Sequence, residues 1–222
     1  MTELGVFARH WTPGAVKTRL AKTVGDSAAA RIYHASLQLT LQRFESVADR
    51  RVIGFTPANA CASFESLRAG QWCLRPQVGD DLGARMSHFF DAAFKEDAGR
   101  VVLIGSDSPT LPLAYVEQAF QRLTDAPVVL GPAEDGGYYL IGLAQPMRAL
   151  FTEIEWSTSH VYEQTLERLQ RLSVPHFALP QWHDFDDEAD LRRLAEELKQ
   201  LARAEPVYES LLATIHGALA IE

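Results

Sequence analysis

The sequence predicts an α/β domain in which a mostly parallel sheet is covered by helices, and three observations carry that expectation. Short apolar runs end at Gly, Pro or polar clusters, as strands buried on both faces do. Between them, apolar residues recur at helical spacing. The two kinds of segment alternate along the chain, the pattern of parallel strands joined by crossover helices.

Residues 4–8 (LGVFA) form the first apolar run, and 51–55 (RVIGF) a weaker second one. Residues 101–104 (VVLI), closed by Gly105, make the clearest buried strand. Runs at 127–130 and 138–143 follow, separated by a loop with Gly136-Gly137. Asp26 reads as the N-cap of a helix running toward Phe44. After the Gly79-Asp80-Asp81 turn, Leu82, Met86, Phe89, Phe90 and Ala93 mark another helix. Pro112 suits the first turn of a helix over 113–123. Val161, Leu166, Leu169 and Leu172 predict one helix, and Leu191, Leu194, Leu198 and Leu201 the next. The organisation expected is one domain over 1–203 and a helical tail over 204–222 that docks on the domain or on a partner.

The 222 residues are 47% apolar, enough for a sizeable core. No apolar run approaches the roughly 18 residues that span a bilayer, and the N-terminus enters a strand without a signal-peptide pattern. The net charge of -8, with no basic block, excludes nucleic acid as a natural partner but not small anions gripped by a few local cations. Cys61 and Cys73 have neither zinc nor disulfide-framework spacing and read as ordinary buried thiols, which places the protein in the cytoplasm.

Ligands of open α/β sheets collect outside the carboxyl ends of the strands, and four polar clusters fall there. The first, residues 9–20, sets Arg9, Lys17 and Arg19 around a Pro13-Gly14 turn; three cations beside a close-approach backbone suit phosphate oxygens. In the second, Gly105-Ser106-Asp107-Ser108-Pro109, the Asp107 carboxylate can hold Mg²⁺ or Mn²⁺, or simply start a turn. The third, residues 131–139, puts Glu134 and Asp135 before a Gly pair; a bare hairpin turn is the alternative. The fourth runs from Trp182 to Leu191; among Asp184, Asp186, Asp187, Glu188 and Asp190, some acids cap the coming helix and another can serve a metal. Trp156, Ser157 and Thr158 are weaker candidates, and no His has ligand spacing.

Taken together, VFARHWTPGAVKTRL, GDDLGARM, VVLIGSDSPTLP, LGPAEDGGYYLIGL, EIEWSTSHV and WHDFDDEADL resemble the radical-SAM/selenodomain-associated transferase 1 family, which is described as glycosyltransferase-like. The likeness runs from about Gly5 to Leu191. Lys17 to Leu20, Pro132 to Gly137 and Asp184 to Asp186 are also similar to motifs of the 2-phospholactate guanylyltransferases, although Asp187-Glu188-Ala189 stands where those carry a Thr-Pro-acid run. The resemblance implies a single domain of the GT-A, nucleotide-diphospho-sugar transferase type. It implies that Arg9, Gly14, Lys17, Thr18 and Arg19 hold nucleotide phosphates, and that Asp81, Gly83 and Arg85 line the nucleotide pocket. Asp107 and Asp186, or Asp184, would hold the metal. Lys17, Asp107, Glu134 and Asp135 would be catalytic, with Gly136, Gly137, Trp156, Ser157 and Thr158 facing the acceptor.

The expected activity is glycosyl transfer from a nucleotide sugar to a small acceptor, assisted by Mg²⁺ or Mn²⁺. Nucleotidyl transfer from a nucleoside triphosphate to a phosphorylated small molecule is the second reading. A non-catalytic nucleotide-binding protein is the third, and two carboxylate clusters argue against it. No membrane partner is expected, and a homodimer is compatible with the sequence.

Overall fold

The computed structural model describes residues 1–67 and 72–219. Its organising strand is β1 (Thr2–Arg9), which runs parallel to β2 (Arg50–Thr56) on one side and to β4 (Arg100–Gly105) on the other. β3 (Trp72–Pro76) extends the sheet beyond β2. Beyond β4 come β6 (Tyr138–Leu143), β5 (Val128–Pro132) and β7 (His176–Ala178). The order is β3-β2-β1-β4-β6-β5-β7, and β6 alone is antiparallel to its neighbours. The chain therefore leaves β1 in both directions, and the crevice outside β1 and β4 is the switch point where such sheets bind ligands.

Alternation along β1 explains both layers. Leu4, Val6 and Ala8 face α2 (Asp26–Arg43) and α5 (Leu113–Arg122), packing with Leu37, Leu41, Phe44 and Val116. The opposite face meets α4 (Leu82–Lys95) through Met86, Phe89 and Phe90, and α6 (Val161–Arg171) through Leu169. Outside α2 lies a third group, in which α1 (Thr18–Val24), α7 (Glu188–Leu201) and α8 (Glu209–Leu219) bury Leu20, Ile32, Leu194, Leu198, Leu211 and Ile215. No helix among the described residues is long and apolar enough to cross a membrane.

Several expectations change in detail. β3, β7, α1 and the short α3 (Cys61–Glu65) are added to the predicted elements. Gly25, at φ 80°, is the N-cap of α2, and Asp26 is its first residue, where a negative charge favours the helix's positive end. Pro112 is the N-cap of α5, one place before the first turn. The two thiols are not buried: Cys61 and Cys73 are both exposed, on α3 and on the edge strand β3.

Candidate active site

The loop after β1 folds back so that Lys17 enters α1 with a left-handed backbone, φ 48° and ψ 45°, an uncommon conformation outside glycine. Its side chain is only 5% exposed, and its Nζ lies 2.6 Å from Asp107 Oδ1 and 4.0 Å from Asp186 Oδ1. The same ammonium donates to the Phe185 carbonyl and sits 4.1 Å above the Phe185 ring. Arg19, at the rim, donates to Asp186 Oδ2 at 3.1 Å. Three segments far apart in sequence are thus joined by two cations.

Asp107 is held from behind. Ser106, buried beside it, bonds through Oγ to the Tyr33 hydroxyl at 2.9 Å, and Ser36 Oγ donates to the Ser106 carbonyl at 3.3 Å. The Arg9 backbone N–H also donates to the Tyr33 hydroxyl, 2.9 Å away, so one phenol ties the ends of β1 and β4 together. Burial, helped by the nearby Asp107 charge, pushes the Tyr33 phenol well above its ordinary range, which keeps its proton in place. The Phe185 N–H donates to the Asp107 carbonyl at 3.1 Å and brings in the acidic segment.

That segment divides its acids cleanly. Asp187 accepts from the Asp190 N–H at 3.1 Å, and Asp190 accepts from the N–H groups of Asp187 and Asp186, a capping box for α7. Asp184 and Asp186 face the cleft instead. The Asp184 carboxyl is pushed up to about 6 by burial and by the Asp135 and Asp107 carboxylates, against the pull of Lys17. Nearly buried His183 accepts from Arg193 at Nδ1, 3.1 Å, so its Nε2 carries the proton donated to Glu197 at 2.9 Å. Burial raises the Glu197 carboxyl, but the His183 and Thr110 hydrogen bonds prevail and hold it below its usual 4.5.

Of these groups Arg19, Asp107, Asp184 and Asp186 line a cleft of about 700 Å³, with Lys17 behind the carboxylates rather than in its wall. Asp135, Gly137, Tyr138, Trp156 and Ser157 to Ser159 line it as well. Gly136 has φ 88°, and a Cβ there would collide with the Ser159 carbonyl, so the glycine lets the two loops touch. Gly83 plays the same part beneath Trp156, whose indole occupies the place of a side chain. Asp135 Oδ1 accepts from the Gly137 N–H at 2.8 Å, which fixes its carboxylate in the turn.

Other sequence candidates are placed elsewhere. Glu134 is gripped by Arg193 at 2.7 and 3.1 Å, which holds its carboxyl below the usual range and turns it toward α7 rather than the cleft. Asp81 caps α4 by accepting from the Ala84 N–H at 2.7 Å, and Arg85 donates to the Gly79 carbonyl at 3.0 Å. Arg9, Gly14 and Thr18 are exposed beside the cleft without lining it. Tyr33 was not legible in the sequence, since a buried Tyr in an apolar helix face gives no polar signal, and the pairing of His183 with Arg193 and Glu197 leaves no mark in the pattern.

Residues 39–158, more than half of the chain, match the family described as "Uncharacterized protein conserved in bacteria (DUF2064)". The chain belongs to that family. This DUF2064 member is 34% identical to a protein from Desulfovibrio desulfuricans G20 described as a candidate nucleotide-diphospho-sugar transferase. Their superposition has a TM-score of 0.89 and covers 98% of this chain and 97% of the other. A CMP:2-keto-3-deoxy-manno-octonic acid synthetase complexed with CTP shares the fold at 13% identity, TM-score 0.53, with 90% and 98% covered. So does the manganese complex of Rv0371c from Mycobacterium tuberculosis H37Rv, at 15% identity, TM-score 0.50, with 88% and 97% covered. No curated protein matches the chain. The DUF2064 chain thus has the nucleotide-diphospho-sugar transferase fold.

Proposed function

We propose that this protein is a divalent-metal-dependent transferase that moves a glycosyl group from a nucleotide-diphospho-sugar to a small-molecule acceptor. The observation that carries the reading is the pairing of Lys17 and Arg19 with Asp107 and Asp186, of which Arg19 and both carboxylates line a ligand-sized cleft. The 34% identical relative, described as a candidate transferase of this kind, supports it.

The side chains fit a hard cation. Asp107, Asp184 and Asp186 offer carboxylate oxygens, and the Asp184 carboxyl is pushed up first by burial and then by the Asp135 and Asp107 carboxylates, which Lys17 only partly offsets. Among the described residues no group of three or more His, Cys, Asp or Glu side chains is placed to hold a metal ion. Mg²⁺ or Mn²⁺ would therefore be held by one or two of these carboxylates and complete its shell with waters and phosphate oxygens. When bound, the ion would supply charge neutralisation for the departing diphosphate. Lys17 and Arg19 face the same diphosphate and stabilise its charge as the bond to the sugar breaks.

The acceptor hydroxyl oxygen forms the new bond to the anomeric carbon. The old carbon–oxygen bond gives its electron pair to the nucleoside diphosphate, and the hydroxyl proton passes to a carboxylate. Asp135 is the base in this reading, because Glu134 is committed to Arg193 while Asp135 lines the cleft. Trp156, Ser157 and Thr158 border the acceptor side.

The experiment compares donor turnover by the wild type and Asp107→Ala in Mg²⁺ or Mn²⁺, with circular dichroism to confirm the fold. A loss of about a hundredfold or more is expected in the variant. Full activity in folded Asp107→Ala would overturn the metal assignment, and release of pyrophosphate from a nucleoside triphosphate would replace glycosyl with nucleotidyl transfer.

A further inference from the structure

Among the described residues five glycines lie in the strands: Gly5, Gly54, Gly105, Gly131 and Gly142. Three have their missing side chain replaced by a neighbour's and a fourth is crowded. The place of a Cβ is taken by Phe89 at Gly5, Phe7 at Gly54 and Tyr139 at Gly131, and at Gly142 a Cβ would lie 3.1 Å from Leu123. Gly105 differs. A Cβ there would meet nothing nearer than the Asp107 backbone nitrogen at 4.0 Å. Its position in β4 places it on the same face as Leu103, toward α4, and its partner in register is Phe7.

The space left there is a recess of about 110 Å³, bounded by Phe7, Leu82, Met86, Leu103, Gly105 and Tyr138. Leu82, Gly105, Tyr138 and Tyr139 border both this recess and the main cleft, so the one opens onto the other. Its walls are apolar. The Tyr138 hydroxyl is engaged with Met86 Sδ at 3.8 Å, and the Tyr139 hydroxyl donates to the Pro180 carbonyl at 2.9 Å. Water finds few partners in such a place, and an apolar guest that displaces it gains affinity. The volume equals about three or four waters at about 30 Å³ each. Leu82, at the mouth, is 41% exposed, although the other apolar positions of its helix face are buried.

We infer that the recess at Gly105 is a specificity pocket for a short alkyl group, three or four carbons in size, on the molecule that occupies the cleft. Resting on the transferase reading above, it makes the acceptor an amphipathic small molecule: a nucleophilic hydroxyl beside Asp135 and Asp107, and an alkyl substituent turned into the sheet. A sugar or polyol bearing only hydroxyl groups leaves the recess unfilled and forfeits that contact.

The protein has three methionines, of which Met86 alone borders the recess, so ¹³C-methyl methionine NMR reads its occupancy directly. The probes are ethanol, 1-propanol, 1-butanol and glycerol, titrated into the full chain. The Met86 methyl shifts with the alcohols while Met1 and Met147 do not. Apparent affinity tightens about fourfold per added methylene up to butanol, as burial of each such group predicts. Glycerol, with the carbon count of propanol, gives at least a tenfold weaker response. In Gly105→Leu the new side chain fills the space and removes the Met86 response; Gly105→Ala, the milder change, weakens it if the larger variant fails to fold. An unresponsive Met86, an equal response from all three methionines, no preference over glycerol, or an undiminished response in folded Gly105→Leu overturns the inference. A nucleoside diphosphate with Mg²⁺, added to the same samples, tests the donor site separately. Alcohol binding without nucleotide binding would sink the transferase reading and leave the pocket standing.

Discussion

Lys17 shows how much of this site depends on single side chains. Its ammonium is nearly buried, yet it meets Asp107, Asp186, the Phe185 carbonyl and the Phe185 ring together. The residue types stood out in the sequence because they cluster after strand ends, although acids before a helix also serve as caps, as Asp187 and Asp190 do. The pairing of Lys17 with Asp186 was not legible, since the two are separated by most of the chain. Adjacent acids posed a harder problem: Glu134 and Asp135 read alike in sequence, and only Arg193, reaching across from α7, separates them. Gly136 is a sharper test of the same scale. Gly136→Ala must adopt a positive φ and drive a methyl group into the Ser159 carbonyl. We expect a loss of about 1–3 kcal/mol in urea unfolding, with weakened acceptor use, because the 157–159 loop has to move. An unchanged midpoint would show that the contact between the loops is unimportant.

Among the elements, the long periodic helices and the apolar strands were predictable because one signal, burial, dominates them. β3 was missed because it is a half-exposed edge strand carrying Arg75 and ending at Pro76, and β7 because three residues give no period. α1 was hidden inside the cationic cluster; its entry through a left-handed lysine has no sequence mark. Helix α7 braces the acidic segment through the His183–Glu197 bond. The Glu197 carboxyl is depressed in the folded state, so its stabilisation is complete above its usual 4.5 and is lost as the pH falls through the lower folded value. The stability difference between wild type and Glu197→Gln should therefore be largest near neutral pH and shrink in acid. A difference independent of pH would contradict the ionised bond. Helix α8 contributes to the core, not only to the surface. Leu211→Ala, at a site 1% exposed between α2 and α7, should cost about 2–5 kcal/mol by chemical denaturation.

At the scale of the whole molecule, topology does the assembling. The reversal of strand order at β1 brings the carboxyl ends of β1 and β4 side by side, and the returning chain after β5 and β7 lays its acids against them. Alternating strands and helices foretold this layout, although the antiparallel β6 and the packing of α7 and α8 on α2 did not follow from pattern alone. The central claim is that this crevice grips a nucleotide diphosphate through Lys17, Arg19 and a carboxylate-bound divalent ion. The most direct measurement is a thermal-shift titration of nucleotide sugars and nucleoside di- and triphosphates, each with and without Mg²⁺ or Mn²⁺. A ligand of the folded state adds about 2.7 kcal/mol at a hundredfold excess over its dissociation constant. The expected result is a metal-dependent rise in Tm with one nucleotide-diphospho-sugar, lost in Asp107→Ala. No rise with any nucleotide, or a rise indifferent to both metal and Asp107, would contradict the claim.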